Sequence, residues 1–240
     1  MIVAALFRNA LLATAVVALP AAAATAPQPP ISSMAFAAAA ARSDQSKLAA
    51  KLYREATKVN PRDAAAWFGL GQALEADNHL GEAVAALERA TELQPGMPGL
   101  ARALGRAELR AGNLPVAESA YRAATVEVPG DPRAWVGLGV ALDLQRRHGE
   151  AQTAYASALR ADPLDRPARN NMALSVALQG DSARAARLLE PWANTDDAPA
   201  RMRGNLQLLQ AAATPSKTVP AGVDPQFVAA LRAFGKDVRP

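Results

Sequence analysis

A motif that returns every 34 residues without slippage constrains this 240-residue chain more than anything else in it. Trp67-x-x-Leu70-Gly71 comes back as Ala101-x-x-Leu104-Gly105, then as Trp135-x-x-Leu138-Gly139 and, altered, as Arg169-x-x-Met172-Ala173. In the same frame Ala83, Ala117, Ala151 and Ala185 are followed four residues later by Leu87, Tyr121, Tyr155 and Leu189. Ala90, Ala124 and Ala158 come three residues after that, and Pro95, Pro129 and Pro163 close the units. A unit this short cannot bury an apolar face by itself, so each must stack on the next.

The repeated positions read as the contacts of that stack. Gly71, Gly105 and Gly139 in a first helix, and Ala83, Ala117 and Ala151 in a second, are small enough to let two backbones approach. Bulky residues then interlock around them: Trp67, Leu70, Leu74, Leu87, Trp135, Leu138, Leu142 and Tyr155. The closing prolines fall just past a helix end, where a missing N–H costs nothing. Turn chemistry stands between the helices at Asp77-Asn78, Gly112-Asn113, Gly149 and Gly180-Asp181.

These residues resemble the tetratricopeptide (TPR) signature. The resemblance implies an all-α fold, a right-handed superhelical solenoid of about five helix-turn-helix repeats plus a capping helix. The frame gives repeats at 30–63, 64–97, 98–131, 132–165 and 166–199, with a cap at 200–213. The first is degenerate, keeping Ala49, Tyr53, Ala56 and Pro61 behind an alanine-rich helix. The cap carries Leu206 in the frame of the repeated leucine. Two departures stand out. Glu108 occupies a position that usually packs a Tyr or Leu, so it should loosen its unit or recruit an Arg. Pro191 should end or kink a second helix, leaving Trp192 to cover the cap.

The N-terminus is of another kind. Arg8 is the only charge before an apolar run from Ala10 to Ala24, and small residues and Pro27-Gln28-Pro29-Pro30 follow. That pattern reads as a signal peptide at 1–24, cut after Ala24, with a Pro-rich linker at 25–30; an uncleaved anchor is the alternative. Export through it would place the mature chain in the periplasm. No cysteine is present, so neither a disulfide nor lipid attachment is available. At the other end, a linker at 214–223 leads to 224–240. There Asp224-Pro225 opens a short helix with Phe227, Val228, Leu231 and Phe234 on one face, which either folds back or serves a partner.

A formal net charge of +4 is too small to point to nucleic acid, and no aromatics interleave with the basic residues. His79 and His148 fall in the turns of two different units with no ligand partners at metal spacing, and read as solvated turn residues. No phosphate loop, nucleophile elbow or His-Glu-x-x-His occurs. The chain reads as non-catalytic, with no cofactor, no metal and no small-molecule substrate; its partners should be proteins.

In TPR proteins the second, fifth, ninth, twelfth and thirteenth positions of each first helix line a concave face. The resemblance therefore assigns to a peptide groove Ala65, Phe68, Gln72 and Glu75, then Arg102, Arg106, Leu109 and Arg110. Arg133, Val136, Val140, Asp143 and Leu144 follow, then Asn170, Leu174 and Leu178. Arg102, Arg106 and Arg110 share one helix face, and Arg133 joins them from the next unit. They make either a basic patch for a carboxylate-bearing peptide or a solvated charge stripe. The Lys and Asn of the chaperone-type carboxylate clamp are absent, so no chaperone tail is expected.

A longer stretch is more particular. Arg169-Asn170-Asn171-Met172-Ala173-Leu174 through Gly180-Asp181, followed by Ala200-Arg201-Met202-Arg203-Gly204-Asn205-Leu206, resembles the C-terminal repeats of TadD-type proteins of tight-adherence (Flp) pilus assembly. That resemblance implies a periplasmic scaffold for pilus secretion components. The alternative is a periplasmic adaptor for an envelope enzyme acting on peptidoglycan or exopolysaccharide.

Overall fold

The computed structural model describes residues 31–214, in which the chain forms eleven α-helices and no strand. The expected signal peptide and Pro-rich linker, and the segment from 215 onward with its expected linker and short helix, lie outside the described residues. Helices α1 (Ile31–Arg42) and α2 (Ser46–Val59) form the first antiparallel hairpin, and α3 (Ala64–Ala76) and α4 (Leu80–Leu93) the second. They are followed by α5 (Leu100–Ala111) with α6 (Leu114–Glu127), α7 (Pro132–Leu144) with α8 (His148–Ala161), and α9 (Arg166–Leu178) with α10 (Ser182–Ala193). The unpaired α11 (Ala200–Ala213) closes the stack. The first helices also touch across units, from α1 with α3 through α9 with α11, and the second helices do not to the same degree. That inequality curves the stack and puts the first helices on its concave side.

Local chemistry sets the helix ends. Asp63, Asp131 and Asp165 cap α3, α7 and α9 by accepting hydrogen bonds from the backbone N–H of Ala65 and Ala66, Arg133, and Ala168. Met97 stands in that frame in the remaining unit, so α5 has no such cap and starts at Leu100, after Gly99 in the left-handed region at φ +80°. The hairpin turns repeat one device: Asn78, Gly112, Arg146 and Gly180 occupy equivalent positions, all with positive φ. In the fourth hairpin this role falls to Arg146. Gly149, which the sequence marks as the turn glycine, lies inside α8.

Packing between units is a match of ring to glycine. Tyr121 of α6 is buried with its ring facing Gly105 of α5 on one side and Gly137 of α7 on the other. Tyr53 meets Gly69 and Tyr155 meets Gly139 in the same manner. Where the second helix carries Leu87 instead of a tyrosine, the following unit carries Ala103 instead of glycine. At this junction the two residues change size together.

The repeated Trp has a further task. Trp67 Nε1 donates to the Pro61 carbonyl at 3.0 Å and Trp135 Nε1 to the Pro129 carbonyl at 2.8 Å, tying each first helix to the loop before it. In the fifth unit Arg169 replaces the indole and donates to the Pro163 carbonyl, while its guanidinium lies 3.6 Å from the Trp192 ring centre. Trp192 also packs on the core formed by α9, α10 and α11.

One expectation, that for His148, is corrected, and those for Glu108 and Pro191 each lose one of their two alternatives. Glu108 is buried but recruits no arginine: it accepts a hydrogen bond at 2.6 Å from Asn113 Nδ2, five residues on. Pro191 does not end α10, which continues to Ala193, because a proline in the last turn forfeits only one late backbone bond. His148 is not a solvated turn residue. Its Nδ1 lies 2.8 Å from Asp143 Oδ1, which also accepts from Ser175 Oγ at 2.7 Å, and Asp143 Oδ2 accepts from the Tyr155 hydroxyl at 2.9 Å. This enclosed network spans the fourth and fifth units. His79 does stay exposed, 3.2 Å from Asp77.

Candidate protein-binding groove

The concave face is built by α3, α5, α7, α9 and the opening of α11, and its two halves differ in chemistry. In the N-terminal half the arginines are occupied. Glu75, a 3% exposed carboxylate on α3, accepts from Arg106 Nε through both oxygens at 2.8 Å, and Arg106 Nη2 approaches to 2.6 Å. Arg110 donates to the Glu75 carbonyl at 2.6 Å and to Asn78 Oδ1 at 3.0 Å. Arg102 Nε reaches Asp131 Oδ2 at 3.0 Å, bridging α5 to the cap of α7. The repulsion among arginines four apart on one helix is thus relieved by carboxylates of the same chain. Here the row is a set of inter-repeat struts and not an open basic patch. Phe68 and Gln72 lie beside it on α3, Phe68 half-buried against the core and Gln72 exposed.

The C-terminal half is open. A cavity of about 390 Å³ lies between α7, α9 and α11, lined by Val140, Arg166, Pro167, Asn170, Asn171, Pro199, Arg201 and Met202. Of the sequence-assigned residues, Val140 and Asn170 line it. Val136 and Leu174 are half-buried on the same two helices, packed against neighbouring cores. Asn170 is buried at its rim, accepting from Asn205 Nδ2 at 2.7 Å and donating to Asn171 Oδ1 at 3.2 Å. Arg166 is held by the Asp197 carboxylate and carbonyl. Arg133 and Arg201 are exposed, and among the described residues no ion pair engages either of them. They take the same frame position two units apart, with Pro167 between. The half therefore offers an apolar floor, a ladder of amides linked to one another at its side, Arg201 in the lining, and Arg133 exposed near the start of α7.

Asp143 turns inward to the enclosed network and contributes nothing to the groove, whereas Leu144 is exposed at its far end. Sequence reasoning missed Asn171, Arg201 and Met202 as lining residues. The 34-residue frame held part of the signal, since Arg201 repeats the position of Arg133. Among the described residues no group of three or more His, Asp or Glu side chains is placed to hold a metal, and no helix is long and apolar enough to cross a membrane.

Comparison with known proteins bears on the repeat fold. The chain is 35% identical over 170 residues to the cellulose synthase 2 operon protein C of Komagataeibacter xylinus, which covers 68% of this chain and 13% of that protein. It is 35% identical over 114 residues to the cytochrome c-type biogenesis protein CycH of Rhizobium meliloti (strain 1021), covering 45% and 29%. It spans between 11% and 29% of the length of the curated relatives it matches. The crystal structure of YrrB, a TPR protein with an unusual peptide-binding site, superposes with a TM-score of 0.58 at 20% identity over 67% of this chain and 83% of that one, a likeness of fold. The tetratricopeptide repeat family model matches residues 34–98 and 102–163, more than half of the chain. With its repeats, its hairpins and its concave face in the arrangement of that family, this chain belongs to the tetratricopeptide repeat proteins.

Proposed function

We propose that this protein is a non-catalytic scaffold that holds an extended segment of a partner protein in the C-terminal half of its concave groove. The observation that carries the reading is the cavity between α7, α9 and α11, where Val140, Pro167, Pro199 and Met202, the Asn170 and Asn171 amides and the exposed Arg201 converge. A partner segment suited to it brings one or two apolar side chains with carboxylates on either side.

The setting we infer is the periplasm, reached through the N-terminal signal pattern. Within it, the likeness to a cellulose synthase operon protein over two thirds of this chain supports a role as adaptor in an exopolysaccharide-producing complex. A second reading, assembly of a tight-adherence pilus, draws on the TadD-like stretch at about 165–212. Affinity purification of the tagged protein from cross-linked native cells separates the two. Enrichment of polysaccharide synthase or wall-enzyme subunits is the expected result. Enrichment of a secretin and a pilus ATPase would instead establish the pilus role and refute the adaptor.

A further inference from the structure

The convex side carries a second site that the repeat pattern itself exposes. At the junctions before and after that of α4 with α6, an ion pair crosses the outer groove between successive second helices. Arg54 Nη2 bonds Glu82 Oε2 at 2.7 Å across α2 and α4, and Arg122 Nη2 approaches Glu150 Oε2 at 3.6 Å across α6 and α8. At the junction between them, α4 to α6, the same frame positions hold Glu88 and Val116, so that pair cannot form. In the same place Ala101 stands where Trp67 and Trp135 stand in the neighbouring units, and Met97 stands where Asp63 and Asp131 cap their helices.

Two of these substitutions, Ala101 and Val116, line one notch of about 230 Å³ over α5. Leu100, Ala101 and Leu104 form its floor, and Val116, Ala120 and Ala123 of α6 one wall. The groove one unit earlier is larger, about 520 Å³, but is rimmed by Arg54, Lys58, Glu82 and Arg89. Here apolar side chains dominate the lining, with Thr91, Ser119 and Glu127 beside them, and Val116 is 48% exposed. Apolar cavities of about 150 Å³ are sufficient to take up benzene, so an aromatic side chain fits this one. The surrounding charge selects its neighbours. Glu127 lines the notch and Glu88 lies one turn before the lining Thr91; both are exposed, and among the described residues no ion pair engages them.

We propose that this notch is a docking site for a protein segment presenting an aromatic side chain flanked by Lys or Arg, on the face opposite the concave groove and independent of it. The aromatic ring occupies the space that an indole covers in the neighbouring units, and the basic residues meet Glu88 and Glu127. A scaffold with one site per face can hold two partners at once.

The test uses the purified full chain and the probe peptide Lys-Arg-Trp-Arg-Lys, followed by amide chemical shifts. The expected result is perturbation centred on Thr91, Ala101, Leu104, Val116 and Ala123, weakened at least about tenfold when the peptide's Trp is replaced by Ala. Ala101→Trp restores the indole of the neighbouring repeats; it should raise the melting temperature and abolish peptide binding. Should that variant fold poorly, Glu88→Arg with Val116→Glu rebuilds the ion pair of the flanking junctions on exposed positions and should also abolish binding. Undiminished binding by these variants overturns the proposal. So does a concentration-dependent dimer that Ala101→Trp dissolves, because the occupant is then a second copy of this chain.

Discussion

The ring-to-glycine match between units gives a sharp quantitative prediction at Gly137. A Cβ added there would lie 2.1 Å from Tyr121 Cε1 and 2.3 Å from Cζ, well inside any tolerated contact. On its other side the ring faces Gly105, where even a Cβ would stand 3.0 Å from it, so any retreat carries the ring towards the α5 backbone. Gly137→Ala must therefore push α6 away from α7 or force Tyr121 off its rotamer. Overpacking of this kind costs about 1–3 kcal/mol, and a clash this deep belongs at the upper end. The gain in helix propensity from Gly to Ala returns about 1 kcal/mol, leaving a net loss of about 2 kcal/mol. Gly204→Ala is the matched control: it too sits within a helix, but nothing lies within 4 Å of its added Cβ. That variant should gain about 0.5–1 kcal/mol. Urea denaturation followed by circular dichroism measures both. A Gly137→Ala protein as stable as the parent would refute the interlocking account, whatever the control does.

Four other perturbations have definite outcomes. Burial pushes the Tyr121 hydroxyl up to about 12 against an ordinary 10.0, and raises those of Tyr53 and Tyr155. Because the fold favours the neutral phenol, its contribution is complete below about pH 10 and is lost as pH rises through about 12, about 2–3 kcal/mol for Tyr121 alone; denaturation midpoints across pH 9–12 should fall in that window, and a flat profile would contradict it. Glu108→Leu removes a buried carboxylate held only by Asn113, and should stabilise the chain by about 1 kcal/mol or more, read as a higher urea midpoint. Arg106→Glu sets a second carboxylate against Glu75 and should destabilise the fold by about 2–4 kcal/mol, whereas Arg201→Glu should leave stability within about 0.5 kcal/mol and weaken partner binding at least about tenfold.

The fold class was legible because the repeat is a physical requirement of stacking: glycine, alanine and ring must recur in register for the hairpins to interlock. The frame even carried substitutions that compensate each other, such as Leu87 with Ala103 where Tyr121 has Gly137. What the frame did not carry was the pairing of side chains between units. Arg106 and Glu75 are 31 residues apart, and both were assigned to the groove, but nothing local says that they neutralise one another. Asp143 likewise turns inward because Tyr155 and Ser175 offer it hydroxyls from two other helices. His148 was misjudged for the same reason: a turn position implies solvent only until the next repeat covers it. The cavity beside α11 depends on how the last helix docks, which a residue pattern for one repeat does not encode.

The central claim, that a protein partner lies along the open half of the concave face, is tested most directly by placing a photo-crosslinking amino acid at Val140, and separately at Arg160 on the second helix of the same unit. Both variants are expressed in native cells and irradiated. The account predicts a discrete crosslinked partner from position 140, absent from position 160 and lost when Arg201→Glu is added. A partner captured from position 160 and not from 140, or capture from 140 that Arg201→Glu leaves unchanged, would contradict it.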